Sequence, residues 1–189
     1  MNSAILQSSL VWIVVLLALL GLWLVGVYNS LVRKKIEVDE AFSDVLTLLK
    51  QRYDMIPNLV NIVKGYAKHE KEIFEKVAKL RSIIANAKSV EDVERAEGEL
   101  AKTLKTLFAV AENYPDLKAN QNFLNLQDAL YHLEEEIQKS RRYYNAVVRE
   151  YNKALSVFPN VFIAPLFGFK PAEFFKATKE EQENVKIEF

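Results

Sequence analysis

Cysteine is absent from this 189-residue chain, and glycine and proline occur only five times each. Without cysteine there is no disulfide, no thiolate metal site and no cysteine nucleophile. So few glycines leave no glycine-rich loop that would cradle a phosphate, and the scarcity of helix breakers favours long helices. Lysine plus arginine number 25, as do aspartate plus glutamate. The chain therefore lacks the excess of basic residues that is typical of a nucleic-acid-binding protein, and we exclude nucleic acid as a partner.

Charged side chains are also absent from residues 1–32. Within this part, residues 10–27 are continuously apolar, and as a helix they extend roughly 27 Å, close to the thickness of a bilayer's hydrocarbon core. Trp12, Trp23 and Tyr28 lie near the ends, where amphipathic rings favour the membrane interface. We predict a transmembrane helix over residues 10–28, preceded by a short tail at residues 1–9.

Two other interpretations of the apolar stretch are a cleavable signal peptide and the core helix of a soluble domain. A signal peptide has a cationic start, a shorter apolar core and a small-x-small cleavage site, and none of these is convincing here. A stretch this long that is apolar on every face rarely fits a small soluble domain. The pattern therefore favours a single membrane span.

The orientation of the span is indicated by the cations that follow it. Arg33, Lys34 and Lys35 come directly after the apolar stretch, and no lysine or arginine precedes it. The positive-inside rule then predicts an N-terminus outside the cell and a cytoplasmic C-terminal domain. Contact of these three residues with anionic head groups is a by-product of this topology.

Beyond the span, apolar residues recur every three or four positions, as one face of a helix requires. The pattern predicts a helix that ends near Arg52–Tyr53, and a second helix that has Pro57 in its first turn and runs to about residue 87. A third helix starts after Ser89, and a fourth follows the next proline. We expect an all-α fold, in which an antiparallel up-down four-helix bundle of long helices over residues 29–158 follows the N-terminal transmembrane helix.

An aromatic, irregular tail is predicted over residues 159–189, where proline and glycine end the helical pattern. In an up-down bundle this tail emerges at the end nearest the membrane. Five of its apolar residues are candidates for contact with the bilayer, a second copy or a partner: Phe162, Ile163, Leu166, Phe167 and Phe169. The alternative is that they fold back and close the base of the bundle, because exposed apolar patches are normally avoided.

Polar residues beside the apolar faces form a second candidate group: Arg52, Asp54, Asn120, Asn145 and Asn152. Buried asparagine and tyrosine side chains can fix the register of a bundle through hydrogen bonds, which is the interpretation we favour. The alternative is a small polar pocket at one end of the bundle. His132, Glu135 and Glu136 have a spacing that places metal ligands on one helix face, but adjacent glutamates are more typical of a solvated face. We predict no catalytic residue, metal ligand or cofactor.

Collinear stretches along most of the chain carry a family resemblance. They are YNSLV (28–32), EAFSDV (40–45), RYDMIPNLV (52–60), GYAKHEKE (65–72), NYPDLKANQNF (113–123), RRYYNAVVREYN (141–152) and LFGFKP (166–171). On these stretches the sequence resembles the LemA family of bacterial membrane proteins. The resemblance implies a bacterial cell-membrane location, one N-terminal span and four antiparallel helices, and it implies no activity. Relatives are linked to surface antigens, to organelle-like membrane formation and to a neighbouring membrane metalloprotease.

We therefore interpret the chain as a membrane-anchored interaction or scaffold protein and not as an enzyme. Its expected partners are the lipid bilayer and other proteins, with self-association into a homo-oligomer as one form of this role. An adaptor to a membrane protease is a concrete version that only the resemblance supports. The alternatives are a membrane-shaping homo-oligomeric assembly, and a metal- or ligand-binding protein that uses polar groups at one end of the bundle.

Overall fold

The computed structural model describes residues 2–66, 75, 87 and 89–176, with residues 2–9 and 110 described by their backbone alone. Its helices are α1 (Asn2–Tyr66), α2 (Val90–Glu112), α3 (Pro115–Lys118), α4 (Gln121–Ser156) and α5 (Asn160–Ile163), followed by a 3-10 helix at Ala164–Phe167. No strand occurs in these ranges. The predicted all-α fold with a long apolar helix at the N-terminus is confirmed.

The N-terminal part of α1 is the one candidate membrane span in the described part of the chain. Its most apolar window has a mean hydropathy of 2.8, and none of that window is buried inside the protein. Its large side chains from Leu10 to Val25 are exposed on every side of the helix, with the exception of the half-buried Leu24. A helix that is apolar all round and uncovered by protein suits a hydrocarbon environment.

The predicted end of the first helix near Arg52–Tyr53 is wrong, because α1 continues through Pro57 to Tyr66. The buried side chains of α1 stay in one phase across the proline, at intervals of four and three residues: Val45, Leu49, Arg52, Ile56, Leu59 and Val63. Proline inside a helix costs about 3 kcal/mol, whereas each fully buried aliphatic side chain contributes about 1.5–3 kcal/mol. The apolar residues beyond Pro57 therefore outweigh the loss of one backbone hydrogen bond.

The predicted second helix does not start as a separate helix near Pro57. Its first residues, up to Tyr66, belong to α1, and most of its remaining length to residue 87 lies outside the described residues. The up-down arrangement of four helices therefore stays a prediction.

The starts of α2 and α4 follow capping rules. Ser89 accepts a hydrogen bond on its Oγ from the Asp92 N–H at 3.1 Å, which confirms the predicted start of α2. The Asn120 Oδ1 accepts from the N–H groups of Asn122 and Phe123 at 2.9 and 3.1 Å, so Asn120 caps α4. Each cap satisfies N–H groups that a first helical turn leaves without an intrahelical partner.

The contacts within the chain divide it into two compact units. Unit one contains the chain up to Glu40 together with Ala146–Ala172, and unit two contains Ala41–Asn145 together with the chain from Glu173. Unit one thus holds the candidate span, the end of α4, α5 and the 3-10 helix. Unit two holds the second half of α1, α2, α3 and most of α4.

After the 3-10 helix, residues 168–176 have no regular secondary structure. Gly168 marks the change, because it has a positive φ of 77° that a residue with a Cβ rarely adopts. Its N–H and that of Phe169 donate to the carbonyls of Pro165 and Ala164, both at 3.1 Å. The tail segment 168–176 therefore leaves the 3-10 helix through a defined left-handed cap.

Candidate functional sites

Charged residues occupy core positions in unit two. On α2 the buried residues follow intervals of four and three, and Glu97 takes one of these positions between Val93 and Leu100. Arg52 has the same place in the buried face of α1. Glu134 and Arg141 lie in phase with the buried Leu130, Ile137, Tyr144 and Val148 of α4. A 3.5-residue repeat directs all four charges into the seam between helices.

These four residues and Tyr53 form one network, which we name the charge layer. The Arg52 Nη1 donates to the Glu97 Oε2 at 2.9 Å and lies 2.5 Å from the Glu134 Oε2. The Arg141 Nη2 lies 3.7 Å from the same Glu97 oxygen, and the Tyr53 hydroxyl donates to the Glu97 Oε1. Two guanidinium groups thus face two carboxylates, so the charges of the layer balance.

Tyr53 is the neutral member of the charge layer. Its pKa is raised far above the usual value, first because burial disfavours the phenolate and then because the Glu97 charge repels it. The hydroxyl therefore keeps its proton at ordinary pH and remains a hydrogen-bond donor. It satisfies the carboxylate oxygen that Arg52 does not contact.

Arg141 also extends the charge layer to the tail. Its guanidinium carbon lies 5.1 Å from the centre of the Phe175 ring, which is a cation–π geometry. Phe175 is buried, and its ring also packs against Tyr144 at 5.1 Å and Phe42 at 6.3 Å between centroids. The Phe175 ring is thus held by one cation and two aromatic side chains of unit two.

The tail is fastened in unit two by a tyrosine and the asparagine that follows it, and we name this pair the unit-two clamp. The Tyr144 hydroxyl donates to the carbonyl of Glu173 at 2.9 Å. The Asn145 Nδ2 donates to the Phe175 carbonyl, and the Asn145 Oδ1 accepts from the Phe175 N–H, both at 2.9 Å. One asparagine therefore satisfies both backbone groups of one residue, as a neighbouring strand does in a sheet.

A second clamp of the same kind lies in unit one. The Tyr151 hydroxyl donates to the Lys170 carbonyl at 3.1 Å, and Asn152 pairs with both the carbonyl and the N–H of Ala172 at 2.9 Å. We name it the unit-one clamp. It repeats the tyrosine–asparagine pair seven residues further along α4.

Unit one also exposes a group of large apolar side chains in and around α5, which we name the aromatic patch. It contains Phe158 and Leu166, both 82% exposed, Phe162, 70% exposed, and Phe167, 51% exposed. The Phe167 ring lies 5.2 Å from the Tyr28 ring, and these two residues line a depression of about 310 Å³ with Leu24 and Val25 of α1. The patch therefore adjoins the C-terminal end of the candidate span.

The structure divides the five predicted tail residues. Phe162, Leu166 and Phe167 belong to the aromatic patch, whereas Ile163 is buried and Phe169 packs its ring 5.8 Å from that of Tyr28. Within unit one, Ile163 is thus buried and Phe169 half-buried, whereas the other three residues are exposed.

The predicted polar group is spread over several places. Arg52 belongs to the charge layer, Asn145 and Asn152 belong to the two clamps, and Asn120 caps α4 while donating from its Nδ2 to the Tyr66 hydroxyl at 3.1 Å. Asp54 is exposed and lines an open depression of about 820 Å³. The described residues thus hold Arg52 and the two clamp asparagines in separate networks.

The depression beside Asp54 also contains His132, Glu135 and Glu136. His132 is exposed, and its ring nitrogens lie 3.6 Å from Glu135 and 3.7 Å from Asp128. Within residues 2–66 and 89–176 there is no group of three or more histidine, aspartate or glutamate side chains arranged to hold a metal ion. The topology cations are also on the surface, where Lys35 pairs with Asp39.

Sequence reasoning missed Glu97, Glu134 and Arg141. The signal was present, because each charge falls on the alternating three-and-four spacing of the apolar residues around it. It also missed that the tyrosine–asparagine pairs bind the tail, although the pair recurs after seven residues. The acceptors were not visible in the sequence, since they are backbone groups.

The fold and these networks define a membrane-associated helical protein whose described residues carry structural networks and an exposed apolar surface. The sequence profile of the LemA family matches residues 41–189. This match covers well over half of the chain, and the protein belongs to the LemA family.

Its relatives include proteins of two kinds. The chain is 26% identical over 166 residues to Protein LemA of Metamycoplasma hominis, which covers 85% of this chain and 74% of that protein. It is 24% identical over 178 residues to magnetosome protein MamQ 2 of Paramagnetospirillum magneticum, and 22% over 174 residues to magnetosome protein MamQ of Magnetospirillum gryphiswaldense. These alignments cover 79% and 78% of this chain, and 64% of each magnetosome protein. The chain thus spans less than two thirds of their length.

The charge layer predicts a large difference between two glutamates of α2. Glu97→Gln removes the carboxylate that Arg52 and Arg141 share, and within the charge layer it leaves Glu134 facing Arg52. Because one buried guanidinium charge is then uncompensated, we expect the free energy of unfolding to fall by about 3 kcal/mol. Glu99→Gln is the matched control, because Glu99 is half-exposed and pairs with Lys102 at 3.1 Å, so its loss should cost below about 1 kcal/mol. Urea unfolding of the full chain in mild detergent, followed by circular dichroism, measures both. Small and equal losses would contradict the buried network.

Proposed function

We propose that this protein is a membrane-anchored interaction protein, which holds its helical domain against the cytoplasmic face of a bacterial cell membrane by two contacts. The first contact is the span in α1. The second is the aromatic patch of unit one, which inserts into the bilayer interface. The single observation that carries this proposal is the position of the patch beside the end of the span.

The chemistry of the patch supports a lipid contact. Phenylalanine and leucine side chains that are more than half exposed are costly in water, and contiguous exposed apolar surfaces mark sites for membranes or partners. Tyr28 contacts Phe167 at the depth where a span gives way to head groups, which is where amphipathic rings are favoured. The patch therefore meets the membrane without any movement of the chain within unit one.

The orientation in this proposal rests on Arg33, Lys34 and Lys35. They lie on α1 within about two turns of Tyr28, close enough to meet anionic head groups of the cytoplasmic leaflet. No lysine or arginine precedes the apolar stretch. The positive-inside rule then favours a cytoplasmic helical domain.

A membrane-shaping role is the second candidate, and one specific observation favours it. Apolar side chains inserted at one leaflet by many copies act as wedges, and the aromatic patch supplies such side chains from α5 and the 3-10 helix that follows it. Some of the relatives are named magnetosome proteins. An adaptor to a membrane protease remains a further version of the interaction role, and it rests on family resemblance alone.

The orientation is tested with a single cysteine, since the natural chain has none. Tyr131 is exposed on α4, and Tyr131→Cys gives a label site in the helical domain. We expect a membrane-impermeant maleimide to leave intact cells unlabelled at this position and to label it after lysis. Labelling of intact cells to the same extent would contradict a cytoplasmic domain.

The lipid contact is tested by depth-dependent quenching. The full chain with Leu166→Cys, labelled with a polarity-sensitive fluorophore and reconstituted in nanodiscs, should lose fluorescence when brominated lipids replace ordinary ones. The matched control is the label at Tyr131→Cys, which is also strongly exposed but lies on α4 in unit two, and it should be unaffected. A label at residue 166 that brominated lipids do not quench would overturn the proposed membrane contact of the patch.

A further inference from the structure

A depression in unit one lies on the side of the candidate span that faces the 3-10 helix. Its volume is about 310 Å³, and its lining consists of Leu24, Val25 and Tyr28 of α1 together with Phe167. Small-molecule sites in proteins have volumes of roughly 300–1,000 Å³, so this depression has room for one slender ligand. Three apolar side chains and the ring of Tyr28 make the lining almost wholly apolar.

The depression has two walls that come from distant parts of the chain. One wall is the surface of α1, and the other is the Phe167 ring, whose centroid lies 5.2 Å from that of Tyr28. Phe169 supports this contact, because its half-buried ring lies 5.8 Å from the same tyrosine ring. A ligand in the depression contacts protein on two sides, whereas a lipid beside a bare helix contacts protein on one side. More of its atoms then gain van der Waals attraction, which is a main source of affinity inside a membrane.

The depth of the depression indicates which molecules can reach it. Leu24 and Val25 belong to the apolar stretch at residues 10–27, and Tyr28 follows directly. From Leu24 to Tyr28 the helix rises about 6 Å, so the depression covers the end of the span and its boundary with the head groups. The ligands available at this depth of a bilayer are the acyl chains of lipids, and a chain that fills an apolar depression gains packing contacts.

Polar groups follow the depression on the side away from the centre of the span. The Tyr28 side chain is 40% exposed, so its hydroxyl can donate a hydrogen bond to a phosphate oxygen. Lys35 comes seven residues after Tyr28, which places it on the same face of α1 and about 10.5 Å further along. It pairs with Asp39, but an exposed pair of this kind is weak and leaves the ammonium group available to an anion. A phospholipid fits this order of apolar and polar groups.

We propose that this depression is a binding site for one acyl chain of a phospholipid, whose phosphate group lies on the side of Tyr28 and Lys35. The inference rests on the proposed function, since it requires unit one to meet the bilayer beside the span. It goes further, because the protein then holds one lipid at a fixed position and does not only insert side chains among lipids. Phe167 has a second role in this arrangement, as one wall of the site.

Two tryptophan substitutions test the site in the full chain. Val25→Trp adds a bulky ring to the lining of the depression, whereas Leu22→Trp adds the same ring at a span residue that is 70% exposed and lies outside the lining. The protein, purified in mild detergent, is mixed with phosphatidylglycerol, and bound lipid is counted by native mass spectrometry. We expect the natural chain and Leu22→Trp to saturate with one retained lipid, and Val25→Trp to lose it.

A second pair of variants acts on the opposite wall. Phe167→Ala removes the ring that faces Tyr28, and Phe162→Ala removes a ring of the aromatic patch that does not line the depression. We expect lipid retention to be lost in Phe167→Ala and kept in Phe162→Ala. Both phenylalanines are more than half exposed, so neither change should alter the helix content, which circular dichroism checks.

The position of the bound lipid is tested by photo-crosslinking in nanodiscs. Phosphatidylglycerol with a diazirine in the upper part of one acyl chain should form its adducts at Tyr28 and Phe167, and Val25→Trp should remove these adducts. Equal lipid retention by the natural chain and Val25→Trp would overturn the proposal, as would adducts spread evenly over the exposed residues of the span.

These measurements separate the lipid site from the proposed function. Lipid retention is measured in detergent and does not require the aromatic patch to enter a bilayer, whereas quenching of the label at residue 166 does. Quenching at residue 166 without a retained lipid would show that the patch meets the bilayer and that the lipid site is wrong. A retained lipid without quenching would instead contradict the membrane contact of the patch.

Discussion

The constraint on which the rest of the structure depends is the phase of the buried face of α1. From Val45 to Val63 the inward residues alternate at intervals of four and three, and they do so across Pro57. Because that phase is unbroken, α1 stays one helix as far as Tyr66, and the third of these inward residues, Arg52, reaches Glu97 of α2. A break before Pro57 would rotate or reverse the following residues and separate these charges from their partners.

Polar side chains in this protein fix the register of packed segments, which apolar packing alone cannot do, because hydrogen bonds are directional. In unit two, Glu97 accepts from an arginine and a tyrosine, so only one axial position of α1 against α2 satisfies it. Buried charges of this kind bring little net stability but make wrong registers costly. The clamps likewise fix the position of a tail segment that has no secondary structure, because they hydrogen-bond to backbone groups that would otherwise lack partners.

The fold class and the candidate span could be predicted from the sequence, because both follow from the distribution of apolar and charged residues. The continuity of α1 could not be predicted with a local rule, since Pro57 is equally acceptable in a first turn and the deciding energy is the burial of Leu59, Val60 and Val63. Among the polar residues, Asn145 and Asn152 were predicted to form hydrogen bonds, but their partners were not predicted. The partners are backbone groups of the tail, which every sequence contains and which residue types therefore do not indicate. Glu97 could have been found from the sequence, since it falls on the three-and-four spacing of the buried residues of α2.

The continuity of α1 is tested most directly by a distance measured between spin labels on the cysteine-free chain. Asp44 and Asn61 are both exposed on α1, and seventeen residues of uninterrupted helix separate their backbones by about 26 Å. Pulsed electron paramagnetic resonance of the doubly labelled protein in nanodiscs should give one narrow distribution near this distance. A distribution centred near the spacing of adjacent helices, about 10 Å, would show a hairpin at residues 52–57 and contradict the single helix.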